Sequence, residues 1–220
     1  MERKISFVEN EYYHLYNRGV DKRTIFSSSS DYRRFMMLLY LANTAQEMRI
    51  GNVLKATKYE DVFNRDRGAP LVAIGAFCLM PNHFHLLVTP LVEGGVSKYM
   101  LKLQTGYSMY FNTKNERSGS LFQGPFRSTH ADTDRYLEYL FSYIHLNPAK
   151  LKEPEWQKKI HPGNNLMSFV ETYPYSSYSA YLNNSHSITD PTKFPDYFSS
   201  KKDVVSHIAD WLTKPEDENE

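Results

Sequence analysis

Apolar positions along the chain change period several times, and each change marks an element. Residues 11–18 alternate, with Tyr13, Leu15 and Asn17 on one side and Tyr12, His14 and Tyr16 on the other. A period of two is that of a strand. After Gly19 and a polar stretch, Tyr32, Phe35, Met36, Leu39 and Ala42 recur at helical spacing behind Ser30 or Asp31 as the cap. Residues 71–79 are almost continuously apolar, the pattern of a strand buried on both faces. Met80, Pro81 and Asn82 supply a tight connection to a partner strand over residues 83–89. A second helix is predicted from Val96 to Asn112, with Val96, Tyr99, Met100, Leu103, Tyr107 and Phe111 on its apolar face. Residues 125–130 suit a fourth strand, and Asp132 or Thr133 caps a third helix from Asp134 to Leu146. Strand, helix, hairpin, helix, strand is the order of an α+β ferredoxin-like sandwich, although other α+β arrangements share it.

Two stretches resist this reading. Residues 49–70 are charged and lack clean periodicity, which suggests a surface insertion or hairpin near DNA. Beyond Pro154 the chain is irregular except for helical spacing between Lys202 and Leu212. This tail adds Trp156, Tyr173, Tyr175, Tyr178, Tyr181, Tyr197, Phe198 and Trp211. An apolar set that large needs a surface to cover. The expected organisation is a catalytic domain over 1–150 and a wrapping extension over 151–220, the extension blocking a dimer face and favouring a monomer over a homodimer.

At 220 residues and a formal net charge of +1 the chain is no polycation. Its charge is uneven, however. Between residues 98 and 127 stand Lys98, Lys102, Lys114, Arg117 and Arg127 against Glu116 alone. A local basic face is what phosphate contacts require. The single cysteine, Cys78, rules out an internal disulfide and suits a small core residue. No apolar run approaches membrane-spanning length and no signal core follows the N-terminus, so a soluble, cytoplasmic protein is expected.

The chemistry concentrates in Cys78–Pro90. His83 and His85 alternate with Phe84, so a strand would aim both imidazoles at one face and the phenyl ring at the other. Two imidazoles held side by side make half of a divalent-metal site. On the third helix, Leu137, Leu140, Phe141 and Ile144 form a core stripe, and Tyr136, Tyr139 and Tyr143 lie beside it. Asn147 is four residues beyond Tyr143 and shares its face.

Four segments carry a resemblance when taken in order: Tyr13-His14-Leu15-Tyr16-Asn17-Arg18-Gly19; Met80-Pro81-Asn82-His83-Phe84-His85; Leu121-Phe122-Gln123-Gly124-Pro125-Phe126-Arg127; and Tyr143 through Pro148. The set resembles the single-tyrosine transposases of the HUH type, the IS200/IS605-like superfamily, in the branch associated with repetitive extragenic palindromes. Tyr173 through Tyr181 also looks like that branch's C-terminal region. The insertion at 49–70 departs from the pattern, since relatives commonly use a shorter link. The resemblance implies the ferredoxin-like fold, with a four-stranded antiparallel sheet and helices on one face. It implies a metal-dependent endonuclease and strand-transferase that cuts and rejoins single-stranded or hairpin DNA through a 5′-phosphotyrosine. Carried over by position, Tyr143 is the nucleophile, with Tyr139 as runner-up. His83 and His85 hold Mg²⁺ or Mn²⁺, and Asn147 is the third ligand or its positioner. Arg18, Gln123 and Arg127 join Lys98, Lys102, Lys114 and Arg117 as DNA contacts, with no nucleotide cofactor. A relaxase or replication initiator shares the histidine and tyrosine chemistry, and a domesticated hairpin-binding protein that has lost cleavage is the non-enzymatic alternative.

Overall fold

The computed structural model describes residues 6–47, 50–156, 164–197 and 201–213. Phe198, Pro162-Gly163 and the acidic end at 215–220 lie outside them. Strand β1 (Tyr12–Arg18) leads to helix α1 (Ser29–Leu41). Two short helices follow, α2 (Ile50–Ala56) and α3 (Tyr59–Val62). The hairpin β2 (Val72–Met80) and β3 (His83–Pro90) precedes α4 (Gly95–Lys114), β4 (Arg127–Ala131) and α5 (Asp134–Leu146). The remainder is helical: α6 (Ala149–Lys152), α7 (Asn164–Thr172), α8 (Tyr178–Asn183) and α9 (Lys201–Thr213). The strand order is β2-β3-β1-β4, every pair antiparallel, which is the expected ferredoxin-like sheet.

The pleat divides the core in two. Leu15, Ile74, Phe77, Leu79, Phe84, Leu86 and Val88 face α1 and α4, where they pack with Phe35, Leu38, Leu39, Tyr99, Leu103 and Tyr107. The alternate residues Ala76, Cys78, Met80 and Leu87 face the other way, against Leu137, Leu140 and Ile144 of α5. Trp156, Leu166, Val170, Tyr178, Val204 and Ile208 complete that second layer. The extension therefore shares a core with the sheet, and most of what looked irregular in sequence is short helix. It also covers an edge. Strand β2 is the outermost strand on its side, and the Leu79 amide donates to the Tyr175 carbonyl at 2.9 Å while the Ser177 amide donates to that of Phe77 at 3.0 Å. An open edge is a template for unwanted pairing, and these bonds close it.

Two local expectations change. The cap of α1 is Ser28, and Asp31 is the third helical residue of a capping box. Among its described residues, 50–70, the charged stretch forms two short helices and no hairpin. Instead, Ile50, Val53, Leu54 and Tyr59 pack with Val62 on Met37 and Leu41 of α1, so the apolar positions belong to a small satellite core. No helix among the described residues is long and apolar enough to cross a membrane.

Candidate active site

Register alone assembles the site. His85 lies opposite Cys78 on β2 and Tyr16 on β1, and Tyr16 lies opposite Arg127 on β4. One step along, His83 lies between Met80 and Arg18. Cross-strand partners share a face, so His83, His85, Tyr16, Arg18 and Arg127 project toward the α5 layer. Phe84 projects to the other layer, its ring 5.0 Å from Phe35. The turn before His83 is fixed from outside. The Gly19 amide donates to the Asn82 carbonyl at 2.8 Å, and the amides of Ile25 and Phe26 donate to that of Pro81. Gly19 is required there, because a Cβ would stand 2.4 Å from the Arg23 carbonyl oxygen.

Both histidines are engaged through Nδ1. His83 Nδ1 lies 2.6 Å from Asn82 Oδ1. An amide oxygen only accepts, so the proton is on Nδ1 and Nε2 is bare. His85, 6% exposed, shares a 2.8 Å hydrogen bond between its Nδ1 and His14 Nε2. The three imidazoles form a row, with ring centroids 5.0 Å apart from His14 to His85 and again from His85 to His83. Burial pushes His14 down to about 4. His83 is also lowered to about 4, by burial first and then by the charges of Lys150 and Arg18. His85 lies well below its ordinary value through burial, its two neighbouring histidines and Lys150. Burial thus favours the neutral imidazole at all three, the form that can offer a lone pair to a metal.

Helix α5 brings the tyrosine. Thr133 caps it, its side chain accepting from the Tyr136 amide. Tyr136, Tyr139 and Tyr143 stack in series, with centroids 6.0 and 5.7 Å apart. The Tyr143 ring stands edge-on to His85 at 5.6 Å and to His14 at 6.1 Å, within one chain. Tyr139, one turn earlier, meets Trp211 at 5.1 Å. Asn147 is 1% exposed. Its Nδ2 donates to the Tyr143 carbonyl at 2.8 Å, while its Oδ1 is buried with no hydrogen-bond partner. A buried acceptor left unpaired asks for a ligand. Among the described residues no group of three or more His, Cys, Asp or Glu side chains is arranged to hold a metal. The donors the sequence nominates for an ion, the His83 and His85 imidazoles and the Asn147 amide oxygen, include no carboxylate.

Three contributors escaped the sequence reading. In sequence His14 is only an alternating strand position, and Asn82 only part of a tight connection. Alternation on β1 put His14 on a defined face, but only the β1–β3 register shows that this face is His85's. Lys150, on α6, places its Nζ 4.9 Å from the centroid of the Tyr143 ring. In sequence Pro148 reads as a helix end, but Asn147 and Pro148 keep helical dihedrals, so Lys150 follows Tyr143 by seven residues, two helical turns.

The basic residues separate into two groups. Arg18 donates through Nε to Gln123 Oε1, and the Gln123 amide returns to the Arg18 carbonyl at 2.9 Å. Arg18, Gln123 and Arg127 are exposed, and by register the two arginines share the histidine face. Asn17 secures that loop, its Nδ2 donating to the Gly124 carbonyl and to Gln104 Oε1. The other four belong to the α4 side of the sheet and are tied to the chain itself. Lys98 donates to the Ala45 carbonyl, and Lys102 to those of Thr44 and Gln46. Lys114 pairs with buried Asp31 at 2.6 Å. Arg117 donates to Asn112 Oδ1 and the Ser120 carbonyl. The structure does not bring these four to the histidines.

Residues 52–147 match the family model described as Transposase IS200 like, and this stretch holds His83, His85, Tyr143 and Asn147. Over that range the chain has the sequence pattern of an IS200-like transposase, the class its motifs and sheet point to. His14, Arg18 and Lys150 fall outside the matched range. Among solved structures, one described as the structure of the REP-associated tyrosine transposase bound to a REP hairpin is similar to this chain, at 14% identity and a TM-score of 0.48, covering 89% of this chain and 95% of that one. No curated protein matches.

Proposed function

We propose that this chain is a metal-dependent DNA strand-transferase that cuts and rejoins single-stranded or hairpin DNA through a covalent 5′-phosphotyrosine on Tyr143. The observation that carries the reading is the edge-on approach of Tyr143 to His85 and His14, beside two imidazoles engaged by their neighbours through Nδ1. His83, His85 and Asn147 would hold Mg²⁺ or Mn²⁺. Imidazole donors favour Mn²⁺. When bound, the ion polarises the scissile phosphate and neutralises charge on its oxygens.

The chain's own residues do the rest. With His85 Nδ1–H donating, His14 Nε2 accepts and fixes the tautomer, which is how a partner behind a metal-binding histidine acts. Asn82 does the same for His83. Tyr143 supplies the attacking oxygen: a phenol-oxygen–phosphorus bond forms, the phosphorus–O3′ bond breaks, the phenolic proton is released, and the O3′ takes one up as a free hydroxyl. One phosphate ester replaces another, so rejoining needs no nucleotide. Arg18, Gln123 and Arg127 on the exposed rim suit the backbone of the bound strand. The approach of Tyr143 to His85 and His14 of its own chain supports a monomer acting in cis.

The test is incubation of the protein with 5′- and 3′-end-labelled hairpin oligonucleotides carrying single-stranded tails, with Mn²⁺ or EDTA. A protein–DNA band resistant to denaturant, dependent on Mn²⁺ and carrying only the 3′-end label, supports the reading. Binding without any such band, across a varied hairpin library, overturns it in favour of a non-cleaving hairpin binder.

A further inference from the structure

We propose that Lys150 is a catalytic residue that grips the scissile phosphate between Tyr143 and the histidine pair, and that it makes metal binding depend on DNA. The proposal deepens the strand-transfer reading and rests on it. Two observations carry it: the Lys150 Nζ lies over the Tyr143 ring at 4.9 Å, and that same ring stands edge-on to His85 at 5.6 Å. The ammonium thus sits on the nucleophile, one ring away from the metal half-site. Arg18, opposite His83 in the β1–β3 register, is a second cation on that face.

The consequence follows from charge. Two neutral imidazoles and an amide bring no negative charge to a divalent ion, and among the described residues no group of three or more His, Cys, Asp or Glu side chains is arranged to hold one. Two cations flank that half-site. A metal entering alone meets repulsion, and its binding is weak. A phosphate arriving with the DNA supplies the missing anion, pairs with Lys150, and converts the repulsion into attraction. A lysine is suited to this role, since its ammonium is a compact point charge on a flexible stem. The device would keep the site idle until a strand is seated.

The experiment measures Mn²⁺ affinity by paramagnetic resonance of free Mn²⁺, in a Tyr143→Phe background so that no DNA is cut. The parent, Lys150→Gln and Lys150→Arg proteins are compared with and without a tailed hairpin oligonucleotide. Without DNA, Lys150→Gln should bind Mn²⁺ roughly five- to tenfold more tightly, the effect of one nearby unit charge on a divalent ion in a water-like dielectric. With DNA, the parent and Lys150→Arg should gain affinity, and Lys150→Gln should gain little. In proteins that retain Tyr143, Lys150→Gln should form the adduct at least about tenfold more slowly, as expected when a charged partner of a transferring phosphoryl group is lost, with partial rescue by arginine. Equal Mn²⁺ affinities for parent and Lys150→Gln in both arms would overturn the proposal. So would a DNA-free gain unaccompanied by any difference with DNA, because the charge would then be near the metal but not on the phosphate. If Tyr143-bearing wild type forms no adduct, the strand-transfer reading fails, whereas the Mn²⁺ arms still decide whether Lys150 couples metal to phosphate.

Discussion

Acid should unfold this protein earlier than its carboxylates alone would, because it buries neutral histidines. His145 is the cleanest instance. It is 0% exposed, its Nε2 shares a 2.7 Å hydrogen bond with Ser177 Oγ, and burial lowers it to about 3. In the unfolded chain it titrates near the ordinary histidine value. A folded pKa below the unfolded one means that the stability is complete above about pH 6.5 and is lost as pH falls toward the folded value. At pH 5 the unfolded imidazole is about 1.5 pH units below its midpoint, while the native one is still neutral. At about 1.4 kcal/mol per unit, His145 costs about 2 kcal/mol between pH 8 and pH 5. His14, lowered to about 4 by burial, costs nearly the same, also about 2 kcal/mol. Together they remove a large share of the roughly 5–15 kcal/mol that holds a domain of this kind together. The assay is urea unfolding at pH 8, 7, 6 and 5, with EDTA present so that metal does not contribute. The variant is His145→Phe, which is weaker at pH 8 but should lose about 2 kcal/mol less than wild type on going to pH 5. Parallel pH profiles for the two proteins would refute the claim that His145 is buried and neutral.

Two further substitutions test the supports of the site. Asp31→Ala should cost about 3 kcal/mol in urea unfolding, since it deletes a capping-box carboxylate and strands Lys114; a change below about 1 kcal/mol would show that Lys114 is free to serve DNA instead. His14→Phe keeps an aromatic ring on the sheet but removes the acceptor behind His85. It should weaken Mn²⁺ binding about tenfold or more and shift the His85 nitrogen resonances of the metal-free protein toward the Nε2–H tautomer. Unchanged resonances would mean His14 does not set the tautomer.

Much of this was legible in the sequence, for a physical reason. Period-two alternation dictates which face a strand residue takes, so His83 and His85 could be paired and opposed to Phe84 without knowing the sheet. Helical period likewise set Tyr143 and Asn147 on one side of α5. What the pattern could not give was contact across elements. His14 meets His85 only because β1 lies beside β3 in one register. Lys150 meets Tyr143 because Asn147 and Pro148 keep helical dihedrals between α5 and α6. The basic run from Lys98 to Arg117 shows the complementary limit. Charge in sequence does not reveal an internal partner, and Lys102 and Lys114 are tied to carbonyls and to Asp31. The C-terminal extension looked irregular because its helices are short, and its apolar residues are spread over several of them rather than striping one.

The central claim is that Tyr143 is the nucleophile at a histidine site of its own chain, and the direct measurement is the identity of the modified residue. The protein is incubated with a tailed hairpin and Mn²⁺, denatured, digested with protease and nuclease, and its peptides are sequenced by mass spectrometry. A nucleotide remnant on Tyr143, absent from Tyr143→Phe and retained in Tyr139→Phe, is the predicted result. A remnant on Tyr139, or an adduct that survives in Tyr143→Phe, would contradict it.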